Sequence, residues 1–383
     1  MKQAENNLST LSKKEKTSTA IEIEQTVEPV IGQADKQTLK VSVTFSVIIP
    51  ILPEHDKPLV LKYLTRSMGT EENIEVILAK GRQPSRQRNT AARAAKGDVL
   101  VFLDDDSCPD PDFFKRLDYH FRDPEIAGVA GPNLALDTDK FIPNLVNAIL
   151  TSRIGVLSKR SRYGSFGKIR EASDSDLILC NFAIQRKAFL ESGGLCEKLY
   201  PSEENEFFER FTKIGSGGTI LYDPKLIVRR PRSESIGSFL KKICGYGRGR
   251  VQQFKYRKSL GSLVHVFGCM AFLLPIILIL TVGLKSLACL AALYGAVLLF
   301  RIFSCLLVHR RASIALGIAP ATVATHVSYV IGLWKGMLTP TVQTENLNTD
   351  VKLECVSLKG SSKTIGGHTK METTSDESDD SRS

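Results

Sequence analysis

The sequence predicts an α/β domain, a mostly parallel sheet flanked by helices, followed by transmembrane helices. Three observations carry that expectation. Between Phe45 and Leu103 apolar strand runs alternate with helical stretches, the order that builds parallel sheets. Val99–Leu103 is an unbroken apolar run, suited to a strand buried on both faces, and it empties into Asp104, Asp105 and Asp106. From Ser235 through Thr344 there is no Asp or Glu, and that stretch also holds the longest apolar runs. Acid-free, apolar sequence with basic flanks belongs in a membrane.

Composition sets the bounds. A chain of 383 residues with 43% hydrophobic content can bury a full core, and its net charge of +10 is unevenly placed. The eight cysteines show neither paired nor metal-ligand spacing, so they read as small hydrophobes in a reducing compartment. The polar N-terminus carries no cleavable signal pattern, so the part before the apolar runs is expected to stay in the cytoplasm.

Taken in order, residues 1–43 lack hydrophobic periodicity and are expected to be a disordered tail. The catalytic domain should span 44–234. Phe45–Pro50 is its first strand, Leu59–Met68 a short helix and Ile74–Leu78 the second strand. Lys80–Lys96 carries six basic residues and no acid, with a helix start at Pro84 and Ser85. Its alanines at 91, 92, 94 and 95 allow close packing on the sheet. The bland reading of this run is a solvated face. It has no aromatic residue for base stacking, so nucleic acid is not an expected partner.

After the acids, Phe113, Phe114, Leu117 and Phe121 recur at helical spacing behind Pro109 and Pro111. A short strand follows within Asp123–Pro132, and Lys159–Arg170 reads as a mobile basic loop. Ser202 is a candidate N-cap, with Phe207, Phe208 and Phe211 on the apolar face of the helix behind it. Glu203 and Glu204 then fall in the first turn, where the helix dipole favours acids for structural reasons alone.

Along an extended backbone Asp104 and Asp106 point to one side and Asp105 to the other. Two carboxylates on one side suit a hard divalent cation that also binds phosphates. A solvated acidic turn is the alternative.

FSVIIP, SRQRNTAARAAKGDVLVFLDDDS, LCNFAIQRKAFLESGGL and SEENEFFERFTKIG together resemble the family 2 glycosyltransferases of the A-type fold, over roughly Phe45 to Arg257. The resemblance implies a nucleotide-sugar donor, an inverting transfer and Mg²⁺ or Mn²⁺ on Asp104 and Asp106. Pro50, Arg82, Arg88, Asn89, Asp104 and Asp105 would face the donor. Glu204 would be the catalytic base beside Glu203, with Asn181, Asn205, Arg248 and Arg250 toward a glycan or lipid-linked acceptor. One departure is specific. Where the family commonly carries an acidic motif after the second strand, this chain has Lys80-Gly81-Arg82, so the nucleotide should be gripped differently. A nucleotidyl or phosphoryl transferase at the same acidic edge, or a non-catalytic membrane scaffold, are the rival readings.

Residues 235–262 place Ile236, Phe239, Leu240, Ile243 and Tyr246 on one stripe, interrupted by Gly245, Gly247 and Gly249. Seven basic residues lie between Lys241 and Lys258, so the segment should rest on an anionic membrane surface. YGRGRVQQF lacks the Trp of the family's processive synthases, which implies a single addition. Residues 263–338 should hold about three membrane helices: Leu263–Gly283, Ser286–Val308 and Ile314–Trp334. Three crossings would leave 339–383, a polar tail expected to be disordered, across the membrane from the catalytic domain.

Overall fold

The computed structural model describes residues 43–68, 73–199, 201–214, 218–258, 280, 284–340, 350–357 and 361–363. The N-terminal tail expected over residues 1–43 and nearly all of Leu263–Gly283 lie outside them.

The chain begins with β1 (Phe45–Ile51), α1 (Leu59–Ser67), β2 (Ile74–Lys80), α2 (Pro84–Ala94) and β3 (Val99–Leu103). β1 pairs in parallel with β2 on one side and β3 on the other, since each return passes through a helix. Successive side chains go to opposite faces. Ile48, Leu100 and Phe102 pack with Ala91 and Ala92 of α2, whereas Val47, Ile49, Val101 and Leu103 fill the opposite layer. That two-sided burial is why the apolar runs are unbroken. β1 continues through Pro50 to Ile51, one residue past the stop that the proline suggests.

Next come β4 (Cys108–Pro109), α3 (Phe113–Phe121), β5 (Ile126–Ala130), β6 (Asn133–Ala135) and α4 (Phe141–Leu150). Phe113, Phe114 and Leu117 of α3 close the second core layer. Leu157–Arg162, inside part of the expected mobile loop, is a 3₁₀ helix. β7 (Arg170–Glu171), β8 (Asn181–Gln185), α5 (Glu203–Ile214), β9 (Thr219–Tyr222) and β10 (Val228–Arg230) complete the catalytic body.

Behind it lie α6 (Ile236–Arg257), α7 (Leu284–His309), α8 (Ala312–Leu338), β11 (Lys352–Ser357) and β12 (Ser361–Lys363). The main sheet runs β12-β11-β2-β1-β3-β8-β5-β9-β7. It is mixed rather than mostly parallel: β8 lies antiparallel to both β3 and β5, and β7 and β11 are antiparallel at either side. Strand–helix alternation ends at β3, and the less regular connections after it do not impose parallel returns. A second sheet, β4-β10-β6, sits next to the acids that follow β3.

α6 is continuous through Gly245, Gly247 and Gly249, because two of those glycines sit at close backbone contacts. Gly247 abuts Tyr329 and Gly332 of α8, and Gly249 abuts the Pro201 carbonyl. α7 and α8 are both long and apolar enough to cross a membrane, with mean hydropathy of 2.1 and 1.6. They are the two of the expected three helices that fall among the described residues.

The tail expected to be disordered instead supplies β11, which pairs antiparallel with β2 in register Leu353↔Ala79 and Cys355↔Ile77. Val351, Leu353 and Cys355 alternate against the core and cover what would be an open edge. β11 is hydrogen-bonded into the same sheet as β1–β3, so this part of the tail stays with that sheet rather than apart from it.

Candidate active site

β3 delivers Asp104 to the carboxyl edge of the sheet, where open α/β folds bind ligands. The turn is tight: the Asp104 N–H donates to Ser107 Oγ at 3.0 Å, and the Ser107 N–H returns to the Asp104 carbonyl at 3.1 Å. Arg88 of α2 donates to Asp104 Oδ1 at 2.6 Å and Arg230 of β10 to Asp104 Oδ2 at 2.7 Å. Arg230 Nε also lies 2.5 Å from Asp106 Oδ1, an ion contact outside hydrogen-bond alignment. Burial would raise the Asp104 pKa, but Arg230 and Arg88 outweigh it and hold the carboxyl below its usual range. Asp105 turns the other way, 3.0 Å from His55 Nδ1.

Arg88 also joins this edge to the acids of α5. Its Nη1 lies 4.0 Å from Glu203 Oε1. Glu203 is buried, and its Oε2 accepts the Ser202 N–H at 3.0 Å. Desolvation raises the Glu203 pKa; Arg88 and the Ser202 N–H only partly offset that, and Glu204 adds to it. Glu204 is more open, with a side chain 27% exposed. Its Oε2 accepts the Leu179 N–H at 3.2 Å, and its Oε1 stands 3.7 Å from Arg162.

Other expected residues have different places. Asn205 accepts from Arg250 Nη2 at 2.6 Å, so those two meet beside Glu204. Asn89 has its amide bound to the Leu195 backbone in both directions, at 2.9 Å each, which leaves it positioning a turn. Asn181 is fully buried and donates to the Pro132 and Leu226 carbonyls at 2.9 and 2.8 Å. Arg82 is exposed and paired with Glu54 at 3.1 Å. The backbone of Arg248 packs on Gly336 of α8. Pro50 is at the end of β1, alongside Ala79.

Sequence reasoning missed Arg230, Arg162 and Lys159. Burial first, then the charges of Arg162 and Arg250, hold the Lys159 ammonium well below its usual pKa. The only local hint for these residues is a surplus of basic side chains.

A metal can be tested against this geometry. One guanidinium, that of Arg230, reaches both Asp104 and Asp106, so the two carboxylates converge on a single cationic position. The described residues hold no group of three or more His, Cys, Asp or Glu suited to a metal. The pair fits a cation that takes its remaining ligands from phosphate and water, as Mg²⁺ commonly does.

Residues 46–192 match the family model for glycosyl transferase family 2. Among solved structures, the mannosyltransferase PcManGT from Pyrobaculum calidifontis, in complex with GDP-Man and Mn²⁺, is 15% identical. The match covers 80% of this chain and 91% of that one, with a TM-score of 0.47. TarS of S. aureus is 13% identical over 53% of this chain and 39% of its own, with a TM-score of 0.34. The comparison with curated proteins gives no match.

Proposed function

We propose that this chain, a glycosyltransferase by its family 2 domain over residues 46–192, transfers one sugar with inversion from a nucleotide-sugar donor to a hydroxyl of a glycan or lipid-linked acceptor. The observation that carries the reading is Arg88. It bonds Asp104 at 2.6 Å and reaches Glu203 at 4.0 Å, so the acidic strand end and the first turn of α5 form one site.

The roles divide by environment. Asp104 and Asp106 would hold Mg²⁺ or Mn²⁺, which would supply Lewis-acid stabilisation of a diphosphate leaving group. Arg88, nearly buried, adds charge-assisted hydrogen bonding to phosphate oxygens. Glu204 is the base. Its carboxylate is accessible, oriented by the Leu179 N–H, and can take the acceptor hydroxyl proton as the sugar carbon is attacked. Glu203, buried and with its pKa raised by desolvation, suits a positioning role. Asn205 and Arg250 form the acceptor side. Exposed Lys241, Lys242, Arg310 and Arg311 favour a cytoplasmic catalytic domain under the positive-inside rule.

The test is turnover by the full chain in detergent with a panel of nucleotide sugars. One donor should give transfer that stops in excess chelator and returns with Mn²⁺ or Mg²⁺. Activity that persists in chelator removes the metal from this reading, and nucleotidyl transfer without sugar transfer overturns the reaction.

A further inference from the structure

α8 is long and apolar enough to cross a bilayer, yet from end to end it rests on the catalytic body. Near its start, Ile314, Ala315 and Ile318 pack with Leu145 and Ile149 of α4. A Cβ on Gly317 would come within 3.0 Å of Phe141 Cζ, which shows how close the two helices lie. Midway, His326 Nε2 is 3.0 Å from the Ile154 carbonyl. Toward its end, Gly332 and Gly336 meet the α6 backbone at Cys244 and Arg248. Lys255 Nζ then donates to the carbonyls of Met337 and Thr339 at 2.8 and 2.7 Å.

α6 is no loose partner. It is fastened to α5 by Arg250–Asn205 at 2.6 Å and by Gln253–Glu209 at 3.0 Å. A helix of this length runs roughly 40 Å, and a crossing would carry one end about 30 Å from the catalytic side. Both ends of α8 stay against the catalytic body. β11, which follows it in the chain, is paired into the main sheet beside β2.

The outer surface shows what covers it. Leu316, Val327, Ile331 and Leu338 are exposed along α8, and Phe303 and Leu307 continue the apolar surface on α7. Exposed Arg310, Arg311 and Lys335 bracket the helix, Lys241 and Lys242 lie on α6, and no acid occurs from Ser235 to Thr344. Arg311 also reaches Asp139 at 3.4 Å, and the rim is otherwise basic. An apolar stripe with such a rim suits the surface of an anionic bilayer.

We propose that α8 is not a membrane crossing but an in-plane helix, one side docked on α4 and α6 and the other sunk into the lipid surface, with the chain entering and leaving it on the catalytic side. Two measurements on the full chain in sealed, uniformly oriented vesicles test it. Tyr119→Cys, exposed on α3, marks the catalytic side; Ser313→Cys and Thr339→Cys mark the two ends of α8. Each is read as one membrane-impermeant maleimide adduct beyond those of the parent chain. All three should label from the same side. Labelling of either end only from the side opposite Tyr119→Cys overturns the proposal. If an end variant does not accumulate, Arg311→Cys or Leu338→Cys reports the same end. The single tryptophan, Trp334, is on α8 and reads the occupant. Lipids brominated high on the acyl chain should quench it more than lipids brominated at the terminal methyl. No quenching by either means that a protein surface covers the stripe, and the lipid assignment falls.

Discussion

At the carboxyl edge of the sheet, Asp104 meets Arg88 and Arg230 through charge-assisted bonds of 2.6 and 2.7 Å. At the seam between α6 and α8 the chain meets itself through glycines, with the backbone of one helix against the other. The first region is held by long polar side chains whose charges cancel; the second by the absence of side chains. Removing a partner from the first leaves a buried charge uncompensated, which costs stability as well as function. Adding an atom to the second forces two backbones apart, which costs fold before function.

The sharpest break of the first region is Asp104→Asn. It keeps the shape, removes the charge shared by Arg88 and Arg230, and takes away one of the two proposed metal ligands. Turnover should fall about 10³-fold, the upper scale for loss of one electrostatic stabiliser. Melting temperature and donor-independent light scattering check that the protein remains folded and monodisperse.

Glu204→Gln is the next largest. The amide keeps the contact with Leu179 but cannot accept a proton, so turnover should drop about 10²-fold with donor binding nearly unchanged. Steady-state rates alongside donor titration separate the two effects. Activity retained in Glu204→Gln but lost in Glu203→Gln would reverse the two roles.

The same contrast explains what could be read in advance. β1, β2 and β3 were legible because buried strands announce themselves locally, and so was the acidic turn that ends β3. Arg230 was not: it stands 126 positions from Asp104, and the pairing of β10 between β4 and β6 brings it there. Asn89 matched a motif, yet its amide is used on Leu195, a partner more than a hundred residues away. The glycines of α6 read as breakers because local propensity counts against them, whereas tertiary contact overrides propensity at the seam. β11 was missed because a six-residue strand in a polar tail gives too short an alternation to stand out.

A matched pair on one helix sharpens the second region. Gly247→Ala would drive a Cβ into the Tyr329 carbonyl of α8, whereas Gly245→Ala meets nothing within 4 Å. The first should destabilise by about 1–3 kcal/mol, the range for overpacking. The second should stabilise by roughly 0.5–1 kcal/mol, because alanine loses less backbone freedom in a helix. Thermal melts of the two variants against the parent decide it. Equal effects would mean that the seam can open without cost.

The smallest effect expected is a pH dependence, and it distinguishes Glu203 from its neighbour. Desolvation raises the folded-state pKa of Glu203 above its unfolded value, despite Arg88 and the Ser202 N–H. The folded protein therefore holds that proton to higher pH than the unfolded chain does. The stability this contributes is fully present below the unfolded pKa, about 4.3 for a free glutamate, and is lost as pH rises through the folded value. Glutamine at this position cannot titrate, so Glu203→Gln should escape that loss. Its melting temperature relative to the parent should rise as pH increases from about 4 toward neutrality and then level off. A difference that stays flat across that range would mean that Glu203 is as ionised in the folded protein as in the unfolded chain. Its burial against Arg88 would then favour the charged form, and a direct part in donor binding would become the better role for it.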